Sequence, residues 1–288
     1  MAEKWIDVSA HNGMISWPKV SASGVKGAIL RAGYGNSLSQ TDTQFTANIK
    51  GAVAAGLKVG VYWFGYPDSI ADARAEWAVC KKVIEPYRDS ILFVCYDYEY
   101  DSAGYYKKIH GAAPANALIN SMVAAFISTA HTDGYKTALY TNNDYRLHVF
   151  AAATLTAADY LWLADYSGAP DVSCAIQQTG SSGTVPGIRG SVDMDTVFAA
   201  IALTTVQIDT TCDVTIECGK YYTFRTNCNQ QPVVTVGTAG VVGLMHCRRE
   251  RDADFYHLCA IGEPGAETGI YTAAPGEQPL KRFKVRVK

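Results

Sequence analysis

The stretch Ile91–Tyr100 (ILFVCYDYEY) ends an apolar run with two carboxylates, Asp97 and Glu99, one residue apart. In a strand the side chains alternate faces, so both acids point the same way, with backbones ~6.6 Å apart at a rise of ~3.3 Å per residue. Two acids held close on a half-buried element push each other's pKa values apart. Acid-assisted cleavage of a glycosidic bond needs that split: one carboxyl kept protonated, one charged beside the developing cation. Glu99 lies further along the strand and is expected to be the general acid, its pKa raised by Asp97 and the interleaved tyrosines. Asp97 is expected to stay charged, stabilising the cation or orienting a substrate acetamide. The plain alternative is a strand end that has run out into solvent.

These acids need rigid elements to hold them. Up to about residue 200, strand-like segments alternate with helical ones. Strands are expected at 4–8, 27–31, 57–64, 91–98, 136–140, 160–164, 175–178 and 191–193, and helices at 43–55, 69–84 and 114–130. Ser69 serves as a helix N-cap and Pro114 as a first-turn residue. Such alternation predicts a parallel α/β sheet, and eight strands suggest a closed barrel with an irregular second half. Polar residues gather at the strand ends, where barrel enzymes keep their sites. Asp7 ends the first strand, Arg31 the second, Tyr62 and Phe64 the third. Tyr140 ends the fifth, Trp162 and Asp165 bracket the sixth, Gln177 marks the seventh and Asp193 the eighth. Asp7 and Asp193 are expected on opposite strands of the cleft floor. Tyr62, Tyr140 and Trp162 are candidates for stacking on sugars or for barrel wall, and Arg31 for pairing with one of the acids.

From about Val206 the pattern changes to short strands punctuated by glycine and proline, including 221–225, 233–236 and 255–261. This predicts a small all-β domain of sandwich type over residues 204–288, after a catalytic domain over 1–203. The closing run Arg282–Lys288 alternates basic and apolar residues, as a strand whose charges protect a sheet edge would.

Composition narrows the partners. The formal net charge is −2, so nothing favours nucleic acid or an anionic membrane surface. No apolar run is long enough to span a membrane, and the start lacks the pattern of a signal peptide; synthesis in the cytoplasm is expected. None of the eight cysteines is spaced C-x-x-C, so free thiols are expected. His246 beside Cys247 and His257 near Cys259 leave a metal site as a minor reading. Gly33-Tyr34-Gly35 lacks the further glycine and acid of a nucleotide loop. No His-Glu-x-x-His or nucleophile elbow occurs, and no cofactor or metal is expected. Oligomeric state is not specified.

With these strand ends in place, the first domain resembles glycoside hydrolase family 25, the Chalaropsis-type lysozymes common among phage endolysins. The resemblance rests on ordered segments: Ile6-Asp7-Val8-Ser9 with Gly13, Ile15 and Trp17; Arg31-Ala32-Gly33-Tyr34-Gly35; Gly60-Val61-Tyr62-Trp63-Phe64; Tyr96-Asp97-Tyr98-Glu99; Leu161-Trp162-Leu163-Ala164-Asp165-Tyr166; and Gly183–Ile188 with Val192-Asp193-Met194-Asp195. The chain departs from the family where Ile176-Gln177-Gln178 replaces a Trp-Gln-Tyr. The resemblance implies an irregular (β/α) barrel with fewer than eight helices. It also implies cleavage of the β-1,4 bond after N-acetylmuramic acid in bacterial peptidoglycan, with action on the wall after release from the cell. The C-terminal segment resembles small β-domains appended to some clostridial and phage lysins, which implies wall attachment. Two other readings stay open. One is a metal-dependent barrel hydrolase with Asp7, Asp97, Glu99 and Asp193 as oxygen ligands for Mg²⁺ or Mn²⁺. The other is a carbohydrate-binding protein without catalysis.

Overall fold

The computed structural model describes residues 2–199, 201, 206–228, 231–250, 253–274 and 279–288. The chain divides into two compact units, Met1–Ile201 and Ala202–Lys288. The expected boundary at 203/204 falls outside the described residues.

The first unit is a closed barrel of eight strands, in the order β1 to β8. In chain order its elements are β1 (Glu3–Val8), α1 (Trp17–Ala22), β2 (Gly27–Tyr34), α2 (Phe45–Ala54), β3 (Lys58–Phe64), α3 (Ile70–Ile84), β4 (Ile91–Asp97), α4 (Tyr100–His110), α5 (Asn116–Thr132), β5 (Thr137–Asn142), α6 (Asn143–His148), α7 (Ala152–Leu155), β6 (Tyr160–Ala164), β7 (Ile176–Gly183) and β8 (Val192–Val197). The strands pair in parallel from β1 to β7, but β8 runs antiparallel to both β7 and β1. A wholly parallel barrel is therefore not what forms, because no helix separates β7 from β8 to carry the chain back. Four helices, α1, α4, α6 and α7, fall outside the expected ranges, and α5 starts at Asn116, so that Pro114 precedes it. Ser69 does cap α3, its Oγ accepting the Asp72 N–H at 3.1 Å.

The period of two explains the barrel's two faces. Ile6, Val8, Leu30, Val61, Val94, Tyr96 and Leu139 pack outward into the core shared with the helices. Their neighbours in sequence (Asp7, Arg31, Tyr62, Cys95, Asp97 and Tyr140) therefore turn inward. Below them Trp5 and Phe93 stack at 6.5 Å, and Phe93 meets Tyr160 edge-on at 5.8 Å. Glycines make room for this plug. A Cβ on Gly27 would stand 2.3 Å from the Trp5 ring, and one on Gly60 2.4 Å from the Phe93 ring. The barrel is thus filled at one end and polar at the other.

The second unit is a sandwich of two four-stranded sheets. Its strands are β9 (Gln207–Ile208), β10 (Val214–Ile216), β11 (Tyr221–Asn227), β12 (Val233–Val236), β13 (Val242–Glu250), β14 (Ala253–Ala260), β15 (Glu267–Ala273) and β16 (Leu280–Val287). One sheet has the order β10-β16-β15-β12, the other β13-β14-β11-β9. Phe224 of one sheet meets Phe283 of the other at 5.6 Å inside a shared apolar core. The basic strand β16 is central, paired with β10 on one side and β15 on the other, and so protects no edge. Its alternation reflects one face in the core and one in water. All eight cysteines are free thiols.

Candidate active site

Five carboxyls meet at the polar end of the barrel. Asp97 is the last residue of β4, and its side chain is buried among the barrel residues. Glu99 is not in the strand: it is the residue before α4, with its backbone N–H donated to Ser102 Oγ at 3.1 Å. Its backbone is extended (φ −143°, ψ −160°), so the strand's alternation continues past the last ladder bond. Tyr98 between the two acids is fully buried in the core, leaving Asp97 and Glu99 on the barrel's side.

Asp7 and Asp193 are direct cross-strand partners on β1 and β8, not on opposite strands. Because β8 is antiparallel, Asp193 lies near its start, and the strand's beginning brings it to the end where the others finish. Two residues further along β8 comes Asp195, 2 % exposed, which sequence reasoning did not single out. Its Oδ1 accepts the Trp162 indole N–H at 2.8 Å.

Gln178 is the second residue that was missed. Its amide nitrogen donates to Asp7 Oδ2 at 2.8 Å, and its oxygen accepts the Tyr166 hydroxyl at 2.8 Å and the Tyr140 hydroxyl at 3.2 Å. Gln177, the residue expected at this strand, instead donates to the backbone oxygens of Asp165 and Gly168 and fixes the loop after β6. Adjacent residues of a strand face opposite ways, and parity decides for Gln178. Asp165 is likewise a loop residue: its oxygens accept Ser167 N–H and O–H and Asp171 N–H, which hold its pKa low. Arg31 pairs with Asp42 at 2.7 Å, not with any of the five acids. Its charge still reaches Asp97 and opposes that residue's upward shift.

Trp162 is buried and offers no open face for stacking. It stands edge-on to Tyr140 at 4.9 Å and to Tyr62 at 6.0 Å and props both rings. Tyr62 and Tyr140 are half-buried, as is Phe64, which packs on Tyr66 at 5.0 Å. An open cleft of ≈ 520 Å³ lies beside Tyr140, lined also by Tyr100, Asn142, Asn143, Asp144 and Tyr166. Flat rings with amide and carboxylate groups between them suit a carbohydrate, which presents both C–H faces and hydroxyls.

The electrostatics favour protons in this cluster. Burial raises the pKa of Asp97, and the Glu99 charge raises it further. Glu99 is raised by partial burial and then by Asp101. Asp7 is raised well above the carboxylate range by burial and by Asp195 and Asp193, and Asp195 is pushed up to about 8, chiefly by burial. Burial and the neighbouring Glu99 charge thus work against a charge on Asp97, while Arg31 works for it. One oxygen each of Asp97 and Asp195 is buried with no hydrogen-bond donor. Among the described residues no three His, Cys, Asp or Glu side chains form a metal-holding group. His246 bonds Asp254 and His257 bonds Thr223. No described helix is long and apolar enough to cross a membrane.

The barrel resembles several solved structures. The modular autolysin LytC of Streptococcus pneumoniae, solved in complex with a synthetic peptidoglycan ligand, shares 25% identity at a TM-score of 0.59; the match covers 68% of this chain and 47% of that one. The chain thus spans about half the length of that autolysin. The catalytic domain of endolysin ply40 from bacteriophage P40 of Listeria monocytogenes is 19% identical at a TM-score of 0.57, over 70% of this chain and 95% of that one. The bacterial lysozyme from Streptomyces coelicolor is 20% identical at a TM-score of 0.54, over 68% and 92%. Among curated proteins none matches the sequence. The sequence model described as Glycosyl hydrolases family 25 matches residues 6–187, which span the barrel from β1 to the loop before β8. With more than half of its residues under that match and its acids gathered at the barrel mouth, the chain belongs to glycosyl hydrolase family 25.

Proposed function

We propose that this protein is a peptidoglycan hydrolase that cleaves the β-1,4 bond between N-acetylmuramic acid and N-acetylglucosamine. The observation that carries the reading is the Asp97–Glu99 pair, two coupled carboxyls with raised pKa values at the mouth of a barrel, beside a cleft edged with tyrosines and amides. Burial favours a proton on this pair, and repulsion between its two charges disfavours ionising both carboxyls. Glu99, less buried and nearer the opening, holds that proton toward the glycosidic oxygen and donates it as the bond breaks. Asp97 then carries the negative charge beside the oxocarbenium-like centre, or orients the substrate acetamide as an internal nucleophile. Asp7 and Asp193 form the polar floor, and Gln178 ties Asp7 to Tyr140 and Tyr166. Tyr62, Phe64, Tyr140 and Tyr166 flank the sugars. Family membership and the peptidoglycan-bound LytC point to the same substrate. The second unit is read as a wall-binding module that keeps the barrel on its polymer.

The test is clearance of a bacterial cell-wall suspension by the wild-type protein and by Glu99→Gln. The wild type clears it, also after dialysis against chelator, and the variant does not. Clearance by the variant at the wild-type rate would remove the acid assignment. Loss on chelation restored by Mg²⁺ or Mn²⁺ would favour the metal-dependent reading.

A further inference from the structure

Asp195 is the one carboxyl of the cluster without an assigned task, and its setting is specific. Its Oδ1 takes the Trp162 N–H at 2.8 Å, while its Oδ2 is buried with no donor. Gln178 of β7 is its cross-strand partner, and the titratable groups around it come from β1, β4, β8 and the loop after β6. Asp7 of β1 lies within hydrogen-bond reach, Asp193 precedes it on β8, and Cys95 of β4 and Tyr166 after β6 feel its charge. None of these is a cation. A buried carboxylate with one bare oxygen beside two other acids has nothing to hold a full charge, whereas a proton between it and Asp7 satisfies the bare oxygen. On its other side, Trp162 is the ring against which Tyr140 and Tyr62 stand.

We propose that Asp195 is a positioning residue that works as a neutral carboxyl, sharing a proton with Asp7 on the cleft floor while its other oxygen fixes Trp162 and, through it, Tyr62 and Tyr140. The inference rests on the hydrolase reading for its link to turnover, but its structural part stands without it. An ionised Asp195 faces Asp7 and Asp193 as a third repelling charge and displaces the floor. Burial places this change at a pH of about 8.

The experiment compares Asp195→Asn and Asp195→Ala in the full chain. The amide keeps an acceptor for Trp162 and a donor for Asp7, whereas alanine keeps neither. Asn is expected to hold kcat on peptidoglycan within about threefold of wild type, and Ala to lower it tenfold or more with KM little changed. The indole N–H resonances are then followed by NMR from pH 6 to pH 10. The resonance missing from Trp162→Phe is expected to move in the wild type with a midpoint near 8 and to stay flat in Asp195→Asn. A flat wild-type resonance, an Asn variant as slow as Ala, or an Ala variant as fast as wild type would overturn the proposal. The NMR arm needs no substrate, so a protein that failed to cut walls would sink the hydrolase reading and leave this test intact.

Discussion

At the scale of the residue, each acid of the site has its own task. Glu99→Gln is expected to abolish lysis while leaving the fold intact, because an amide cannot give its proton to the leaving oxygen. Asp97→Asn is expected to cost on the order of 10²-fold or more in kcat, the loss of a main electrostatic stabiliser. Asp7→Asn and Asp193→Asn are expected to cost less. Equal mild losses at all four would point to a shared polar floor with no privileged pair. The pH profile follows from the same pair. Both pKa values are raised, chiefly by burial, so the singly protonated pair persists above the ordinary Glu range. Activity is expected to fall on the alkaline side as that last proton is lost, giving a bell in kcat/KM. Asp97, Glu99, Asp7 and Asp193 were legible because a carboxylate at a strand end is visible in one dimension. Gln178 and Asp195 were not. Choosing Gln178 over Gln177 requires the parity of β7, and seeing Asp195 requires knowing that β8 lies antiparallel against β1.

At the scale of the element, a buried carboxyl outside the cluster, Glu76, holds the outer layer to the site. Glu76 on α3 is fully buried, accepting the Tyr66 backbone N–H at 2.7 Å and the Tyr96 hydroxyl at 2.5 Å. Gly65 N–H in turn bonds the Asp97 carbonyl at 2.8 Å, so α3, the turn after β3 and the tip of β4 form one connected piece. Burial raises the Glu76 pKa from 4.5 to about 8. A folded-state pKa above the unfolded one means the native state binds more protons between those values, so this group's stabilisation is present at low pH and lost as pH rises toward 8. The melting temperature is expected to fall between pH 5 and pH 8, and Glu76→Gln to shrink that fall. An unchanged pH dependence in the variant would contradict it. The barrel strands and α3 were readable from their apolar runs and from the Ser69 cap. Helix α4 was not, because Tyr100–His110 is too polar to show a buried stripe: Ser102 is its one buried residue. That helix is why Glu99 sits at a strand-to-helix turn and not in a strand.

At the scale of the whole molecule, the two units have separate cores. The barrel's core joins its strands to the surrounding helices, while the sandwich buries Ile216, Phe224, Leu258, Ile270, Phe283 and Val285. Units with their own cores can fold alone. A product ending at Thr205 is expected to remain soluble and cut soluble peptidoglycan fragments, and a Val206–Lys288 product to co-sediment with walls without cutting them. The expected benefit of joining them is local concentration on the polymer. If the second fragment pellets with no wall preparation, the targeting role falls and catalysis is untouched. The switch from strand–helix alternation to turn-rich strands marked two architectures in the sequence. The sheet order did not show there, since strand neighbours far apart in the chain, such as β10 and β16, leave no local signal.

The bond that is cut is identified most directly by mass spectrometry of peptidoglycan digested by the wild-type protein. Disaccharide products whose new reducing end is N-acetylmuramic acid are expected from the wild type, and none from Glu99→Gln. Products ending in reducing N-acetylglucosamine, or cleavage within the peptide with the glycan intact, would contradict that expectation.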